Sequence, residues 1–255
     1  MCFDHDSRPP IEPIAGGALD SSSVILTGAD GAPFRAFGAR PAQPSGAGIL
    51  ILPDARGLHP FFEELALRFA ENGIAAVAID YFARTAGTEP RGGDFDYQPH
   101  VAQVTWDNIA SDTKAGAAYL ASADGGAPRS TFVTGFCMGG RLASLATTLK
   151  VGFSGAIAFY GFPVGQSRGT PAPADVADQI EGDILALYGG ADQAITAEFR
   201  DAYDQALEAA GVNHRTIVYP DAPHSFFDRK AEDFADASGA AWSEMLTFIR
   251  ERTAA

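Results

Sequence analysis

Thr134-Gly135-Phe136-Cys137-Met138-Gly139-Gly140 follows the apolar run Thr131 to Val133 and precedes a helix-compatible run over 141–149. A strand that turns sharply into a helix around a G-x-nucleophile-x-G sequence is a nucleophile elbow, here with Cys137 in the nucleophile slot. Glycines at the flanking positions let strand and helix approach closely. The turn lifts the sulfur above the sheet edge, where the helix start offers backbone N–H groups and a dipole that favours thiolate. Two other readings fit the same residues. Cysteine is often a small buried hydrophobe, and glycine-rich strand-to-helix turns also bind phosphate. The stretch lacks the G-x-G-x-x-G spacing, and the chain has no P-loop lysine.

Working outward, short branched or aromatic runs alternate with longer helical periods. Upstream, 23–26 and 33–37 flank Gly28-Ala29-Asp30-Gly31 and predict an antiparallel hairpin. The continuously apolar run 48–52, stopped by Pro53, predicts a central strand covered on both faces. A helix follows over 61–72, with Phe62, Leu65 and Phe69 on one face and Gly73 as its stop. Residues 74–79 form the next buried strand, and 104–120 the next helix. Downstream, strands are expected over 153–159, 183–188 and 215–219, with helices over 198–210 and about 232–251. Strands alternating with such helices give an α/β fold, a mainly parallel sheet with helices on both faces. One domain over 23–252 fits, preceded by an N-terminal extension, 1–22. Two irregular stretches, 83–103 and 161–179, are candidates for the edges of a binding pocket or for surface excursions.

Composition narrows the function classes. Eighteen Lys and Arg against 32 Asp and Glu leave a net charge of −14 in 255 residues. Such a surface repels phosphate backbones and anionic membranes, so neither nucleic acid nor membrane is an expected partner. No run of about 18 apolar residues is present to span a bilayer. Two cysteines, Cys2 and Cys137, exclude a disulfide-dense scaffold and any multi-cysteine zinc motif. Cys2 lies in a terminus expected to fray. The opening residues lack the basic start and apolar core of a signal peptide, which points to the cytoplasm. His5, His59, His100, His214 and His224 form no closely spaced ligand set, so no metal is expected. Nothing in the sequence sets an oligomeric state.

Two further stretches join the elbow. The apolar run 184–188 is followed by Gly189-Gly190-Ala191-Asp192, and the run 215–219 by Pro220-Asp221-Ala222-Pro223-His224-Ser225-Phe226-Phe227. Each places a polar candidate beyond the carboxyl end of a strand, where ligands sit in open parallel sheets. The order nucleophile, acid, base assigns Cys137 covalent attack, His224 proton transfer and Asp192 the orientation of the imidazole. Asp221 is the second candidate for the acid. Acyl transfer also develops an oxyanion, for which the Met138 and Ala55 N–H groups are candidate donors. Asp54, beside Ala55, must turn its carboxylate away from that charge, engage the thiol or lie outside the site.

At this point the chain resembles the dienelactone hydrolase family, the carboxymethylenebutenolidases of the α/β-hydrolase fold. The resemblance runs from about Ser23 to Arg250 and rests on Gly135 to Gly140, Gly189 to Asp192 and His224 to Phe227. Asp80-Tyr81-Phe82-Ala83-Arg84 supports it. It implies a mainly parallel sheet of about eight strands and hydrolysis of a small anionic lactone through an acyl-enzyme, without a cofactor. By resemblance Arg84 holds the substrate carboxylate. Asp54 stands where the best-known members have a glutamate that modulates the thiol. Asp228 stands where they have a second carboxylate-binding arginine, with Arg229 one position on. A carboxylesterase with no carboxylate requirement is the nearest alternative, and a non-enzymatic binding domain retaining the three residues is another.

Overall fold

The computed structural model describes residues 3–4, 6–14, 20–167, 169–228 and 232–254. Its strands are β1 (Asp20–Thr27), β2 (Pro33–Arg40), β3 (Ala47–Leu52), β4 (Ala75–Ile79), β5 (Ser130–Phe136), β6 (Phe153–Phe159), β7 (Asp183–Gly189) and β8 (His214–Tyr219). All six residues of β3 and all five of β4 are buried, as continuous apolar runs in a covered parallel sheet should be. The strands form one sheet in the order β1-β2-β4-β3-β5-β6-β7-β8. β1 and β2 pair antiparallel, as do β2 and β4, and every other pairing is parallel. The expected hairpin is present and longer than its apolar centre, because polar residues 20–23 continue the ladder on an exposed edge.

The helices are α1 (Pro60–Glu71), α2 (Ala83–Ala86), α3 (Gln98–Val101), α4 (Trp106–Ala121), α5 (Met138–Ala146), α6 (Ala197–Ala209) and α7 (Ala235–Arg252). α1 and α7 meet through Phe69 and Trp242, whose rings lie 4.9 Å apart. α4 brings Gly116 against Leu50 and Ile79, a contact too close for a larger residue. It starts at Trp106 because Thr105 caps it, accepting from the Asn108 N–H at 3.3 Å. The last helix begins three residues later than expected, after a 3-10 turn over Glu232–Phe234. This is an α/β-hydrolase fold. Among the described residues no helix is long and apolar enough to cross a membrane.

Chain order reverses across β3, since β4 lies on one side of it and β5 on the other. The carboxyl ends of β3 and β5 therefore bound the crevice where such sheets bind ligands. At the other end of the chain, Phe3 packs into the core. Phe3 is 3% exposed and stacks on Phe61 at 4.2 Å between ring centroids. Cys2 and His5 lie outside the described residues.

The turn from β5 into α5 is the tightest backbone crossing near the crevice. A Cβ on Gly139 would sit 2.0 Å from the Leu52 carbonyl oxygen, and one on Gly140 2.3 Å from that of Phe159. Gly139→Ala is expected to destabilise the protein by at least about 3 kcal/mol, since backbone must move to relieve the clash. Gly239→Ala, in exposed α7 with nothing near its Cβ, should stabilise by about 0.5–1 kcal/mol. Urea unfolding of both variants checks the pair.

Candidate active site

Cys137 sits at the turn between β5 and α5 with φ +56° and ψ −113°, a conformation that side chains other than glycine rarely adopt. Three hydrogen-bonded or close contacts hold it there. Its N–H donates to the Phe159 carbonyl at 3.1 Å, and its own carbonyl accepts from the Arg141 N–H at 3.2 Å, opening α5. A Cβ at Gly135 would lie 2.0 Å from the Gly139 oxygen, so the strand end and first helical turn touch backbone to backbone. A strained residue at the start of a helix, above the sheet, is how an elbow presents a nucleophile.

His224 and Asp192 arrive on neighbouring loops, beyond β8 and β7. The Gly189-Gly190 pair lets the two loops cross: a Cβ on Gly189 would meet the Ala222 oxygen at 2.2 Å, and the Gly190 N–H donates to Tyr219 at 2.7 Å. The crossing brings His224 Nδ1 to 2.7 Å from Asp192 Oδ2. Burial opposes ionisation of Asp192. The hydrogen bonds from His224 and from the Ala194 and Ile195 N–H groups outweigh it and hold the carboxyl below its ordinary range. Asp221, the second candidate acid, is exposed. Phe226 and Phe227 anchor the histidine loop in the core: Phe227 lies 5.0 Å from Phe159 and 5.7 Å from Phe136.

Cys137 and His224 both line a cavity of about 610 Å³ whose other walls include Tyr160, Phe162, Val164 and Phe199. The stretch 161–179 therefore forms one side of it. Arg141 builds that side from beneath: its guanidinium donates to the carbonyls of Phe162 at 2.8 Å, Gly165 at 2.7 Å and Pro171 at 2.6 Å, and to Thr170 Oγ1 at 2.8 Å. No carboxylate among the described residues pairs with it at ion-pair distance. Burial lowers its pKa, yet an arginine stays protonated. Stretch 83–103 lines a different, smaller cavity of about 130 Å³ with Arg56 and His59.

Ala55, after β3, is buried, and its N–H finds no acceptor among the described residues. Asp54 is 1% exposed and belongs to its own loop. Oδ1 accepts from the Arg56 N–H at 2.9 Å, Arg56 Nε lies 3.5 Å from Oδ2, and His59 Nε2 lies 3.6 Å from Oδ1. Tyr81 hydrogen-bonds the Pro53 carbonyl at 2.9 Å and so braces that loop. Burial first, then the charges of Asp54, Asp80 and Cys137, push its phenol far above the ordinary value and keep it a donor. Tyr81, Tyr160 and Arg141 went unremarked as site residues in the sequence; the signal available was their position one to four residues from a strand end or from Cys137.

Arg84, expected at the substrate, lies elsewhere in this structure. The structure places it in a fork with Asp112, at 2.6 and 2.7 Å, and with Asp30, at 3.0 Å twice, and it does not line the cavity of Cys137. Four of its five N–H donors are engaged by two carboxylates, one of them fully buried, which leaves no fork free for a bidentate grip on a substrate carboxylate. Asp228 occupies the position of the second expected arginine, and Arg229 lies outside the described residues. No group of three or more His, Cys, Asp or Glu among the described residues is arranged to hold a metal.

Comparison with known proteins closes the description. Residues 34–253 match the dienelactone hydrolase family. A protein of Escherichia coli (strain K12), provisionally named carboxymethylenebutenolidase, is 30% identical over 95% of this chain and 94% of its own length. A crystal structure from Klebsiella pneumoniae, provisionally named dienelactone hydrolase, superposes with a TM-score of 0.81 at 27% identity, covering 91% of this chain and 98% of that one. A dienelactone hydrolase-like promiscuous phosphotriesterase from metagenomic libraries shares the fold, with a TM-score of 0.76 at 20% identity over 93% of this chain and all of its own.

Arg84→Ala should cost about 3 kcal/mol of stability, because it strips a buried carboxylate, Asp112, of its bidentate partner. The Arg84 hydrogen bond holds Asp30 down to about 2 from its usual 3.8. That part of the pairing is complete above the usual value and is lost as the pH falls through the lowered one. The stability gap between wild type and Arg84→Ala, followed by urea titration, should therefore narrow in strong acid.

Proposed function

This chain belongs to the dienelactone hydrolase family, and from that premise we propose that it cleaves small esters or lactones through a thioester formed on Cys137. It is a carboxylic-ester or lactone hydrolase of that family. The observation that carries the cysteine-dependent reading is a single cavity holding Cys137, strained at the head of α5, and His224, tied through Nδ1 to Asp192.

With Nδ1 bonded to Asp192, the other ring nitrogen of His224 is the one that carries protons. The Cys137 thiol gives its proton to it, and the sulfur attacks the substrate carbonyl carbon. The oxyanion of the tetrahedral intermediate is met by the Ala55 and Met138 N–H groups. Collapse breaks the carbon–oxygen bond, and the leaving oxygen takes the proton from His224. In a lactone that oxygen stays tethered in the acyl group; in an ester it departs as alcohol. Water, losing a proton to His224, then attacks the thioester and releases the carboxylic acid, and the proton returns to the sulfur. No step calls for a metal or organic cofactor. A thiolate nucleophile suits a reducing compartment, which supports the cytoplasm as its setting.

For the substrate, the position of Arg84 favours the small-ester and neutral-lactone reading over a carboxylated dienelactone. The arginine that would hold the carboxylate is bound to Asp30 and Asp112, and the donors of Arg141 are engaged by neutral oxygens. Tyr160, Phe162, Val164 and Phe199 select instead by shape and apolar contact.

The test is a panel of small esters and lactones, each as a matched carboxylate and methyl ester, with wild type, Cys137→Ser and Asp192→Asn. Wild type should hydrolyse the neutral member at least as well as the anionic one. Cys137→Ser should lose roughly a hundredfold or more in kcat, since serine is far less acidic. Asp192→Asn, which keeps the loop contacts but misorients the ring, should lose about 10²–10⁴-fold. Wild-type turnover in Cys137→Ser would remove the thioester route. A folded protein with no turnover and no alkylation-sensitive burst would favour a binding domain.

A further inference from the structure

The N-terminal segment has no strand or helix between residues 6 and 14, yet it ends up against the loops that carry the proposed chemistry. Phe3 stacks on Phe61 and lies 6.0 Å from Phe136, the residue before Cys137, and 6.5 Å from Tyr160. The Tyr160 ring in turn lies 4.9 Å from that of His224. The carbonyl of Asp4 accepts from Arg56 Nη2 at 3.0 Å, on the loop that carries Ala55. Ser7 is fully buried and donates its hydroxyl to Asp228, four residues past His224. Phe3, Asp4 and Ser7 therefore reach the strand that ends at Cys137, the loop of Ala55 and the histidine loop.

The pattern of contacts is directional. A segment that merely covered apolar surface would satisfy its polar groups with solvent or with the nearest helix. Here the Asp4 carbonyl and the Ser7 hydroxyl bond to loops of the crevice. The outward contacts, Arg8 to Glu64 at 2.7 Å and the Ile14 N–H to Glu71 at 3.1 Å, pin the segment along α1. α1 thus supplies a rigid base, and the residues ahead of it reach over the crevice.

Resting on the thioester reading above, we propose that Phe3, Asp4, Ser7 and Arg8 act as a strap that fixes the histidine and oxyanion loops relative to Cys137, with Phe3 and Ser7 as positioning residues. Loops joined only at their own ends sample many arrangements, and a misplacement of ~1 Å can cost roughly 10²-fold in rate. Neither residue lines the cavity, so substrate binding by the apolar wall is separate from what the strap does.

The experiment uses the full chain with Ser7→Ala, Ser7→Thr, Phe3→Ala and Phe3→Leu, p-nitrophenyl acetate as substrate, and iodoacetamide alkylation of Cys137 at neutral pH. Both alanine variants should lose between about ten- and a hundredfold in kcat with little change in KM, and should alkylate more slowly because the histidine loop is no longer held in place beside the elbow. Ser7→Thr keeps the hydroxyl and Phe3→Leu most of the packing, so each should recover most of the loss; a merely structural strap would lower Tm without this split. Circular dichroism and a thermal melt confirm that the variants compared are folded at the assay temperature, and the milder pair covers any alanine variant that is not. Wild-type kcat in the folded alanine variants, or equal or faster alkylation, would overturn the strap. If wild type itself turns over no ester, the hydrolase reading fails separately, and the alkylation rates alone decide the strap.

Discussion

Everything held above the sheet depends on one steric constraint: three backbone segments meet around Gly135, Gly139 and Gly140 with no room for a side chain. The first turn of α5 rests on the Leu52 carbonyl, at the end of β3, and on the Phe159 carbonyl, at the end of β6. Because β3 leads directly into Pro53-Asp54-Ala55, the same contact that seats Cys137 also sets the height of the loop carrying Ala55. Backbone touching backbone is stiff in a way that side-chain packing is not, so the strained φ of Cys137 is imposed by its surroundings. The crossing of Gly189 beneath Ala222 repeats the device one strand over, where it brings Asp192 under His224.

Aromatic packing carries that constraint to the rest of the crevice. Phe136 and Phe159, adjacent strand ends, stack at 4.6 Å, and Phe227 packs on both. The histidine loop is thus nailed into the core two and three residues after His224. Tyr160 touches the imidazole from the end of β6. Buried rings of this kind stabilise through apolar area and fix orientation through their preferred tilted and stacked geometries. The link from core to chemistry runs through them, which is why the loop can be irregular and still present one side chain in one place.

Charge is used differently. In a chain of net charge −14, two buried acids outside the crevice are met by arginines: Asp112 by Arg84 and Asp80 by Arg91. Both pairs tie the segment after β4 to the body of the fold. Arg141 instead meets neutral oxygens, backbone carbonyls and the Thr170 hydroxyl, and converts a loop rich in glycine and proline into a wall. An arginine can serve either purpose because its planar fork reaches several acceptors at once, and nothing in its sequence neighbourhood says which.

What the sequence determined by itself was the alternation of strand and helix, the elbow at Cys137, and the order of Cys137, Asp192 and His224 along the chain. These are local: apolar runs of strand length, glycines where a turn needs them, and polar residues just past strand ends. The sequence also set helix limits to within a few residues, missing where a cap such as Thr105 or a 3-10 turn shifted the start. The partner of Arg84 was not legible, because Asp30 and Asp112 lie 54 and 28 positions away and only the fold brings them together. Nor was the return of Phe3 and Ser7 to the crevice, which no local pattern announces. Local preference dictates what each segment is. Which side chains share a space is decided by packing between segments distant in sequence, where a charge or a ring goes to whatever partner the closed structure leaves within reach.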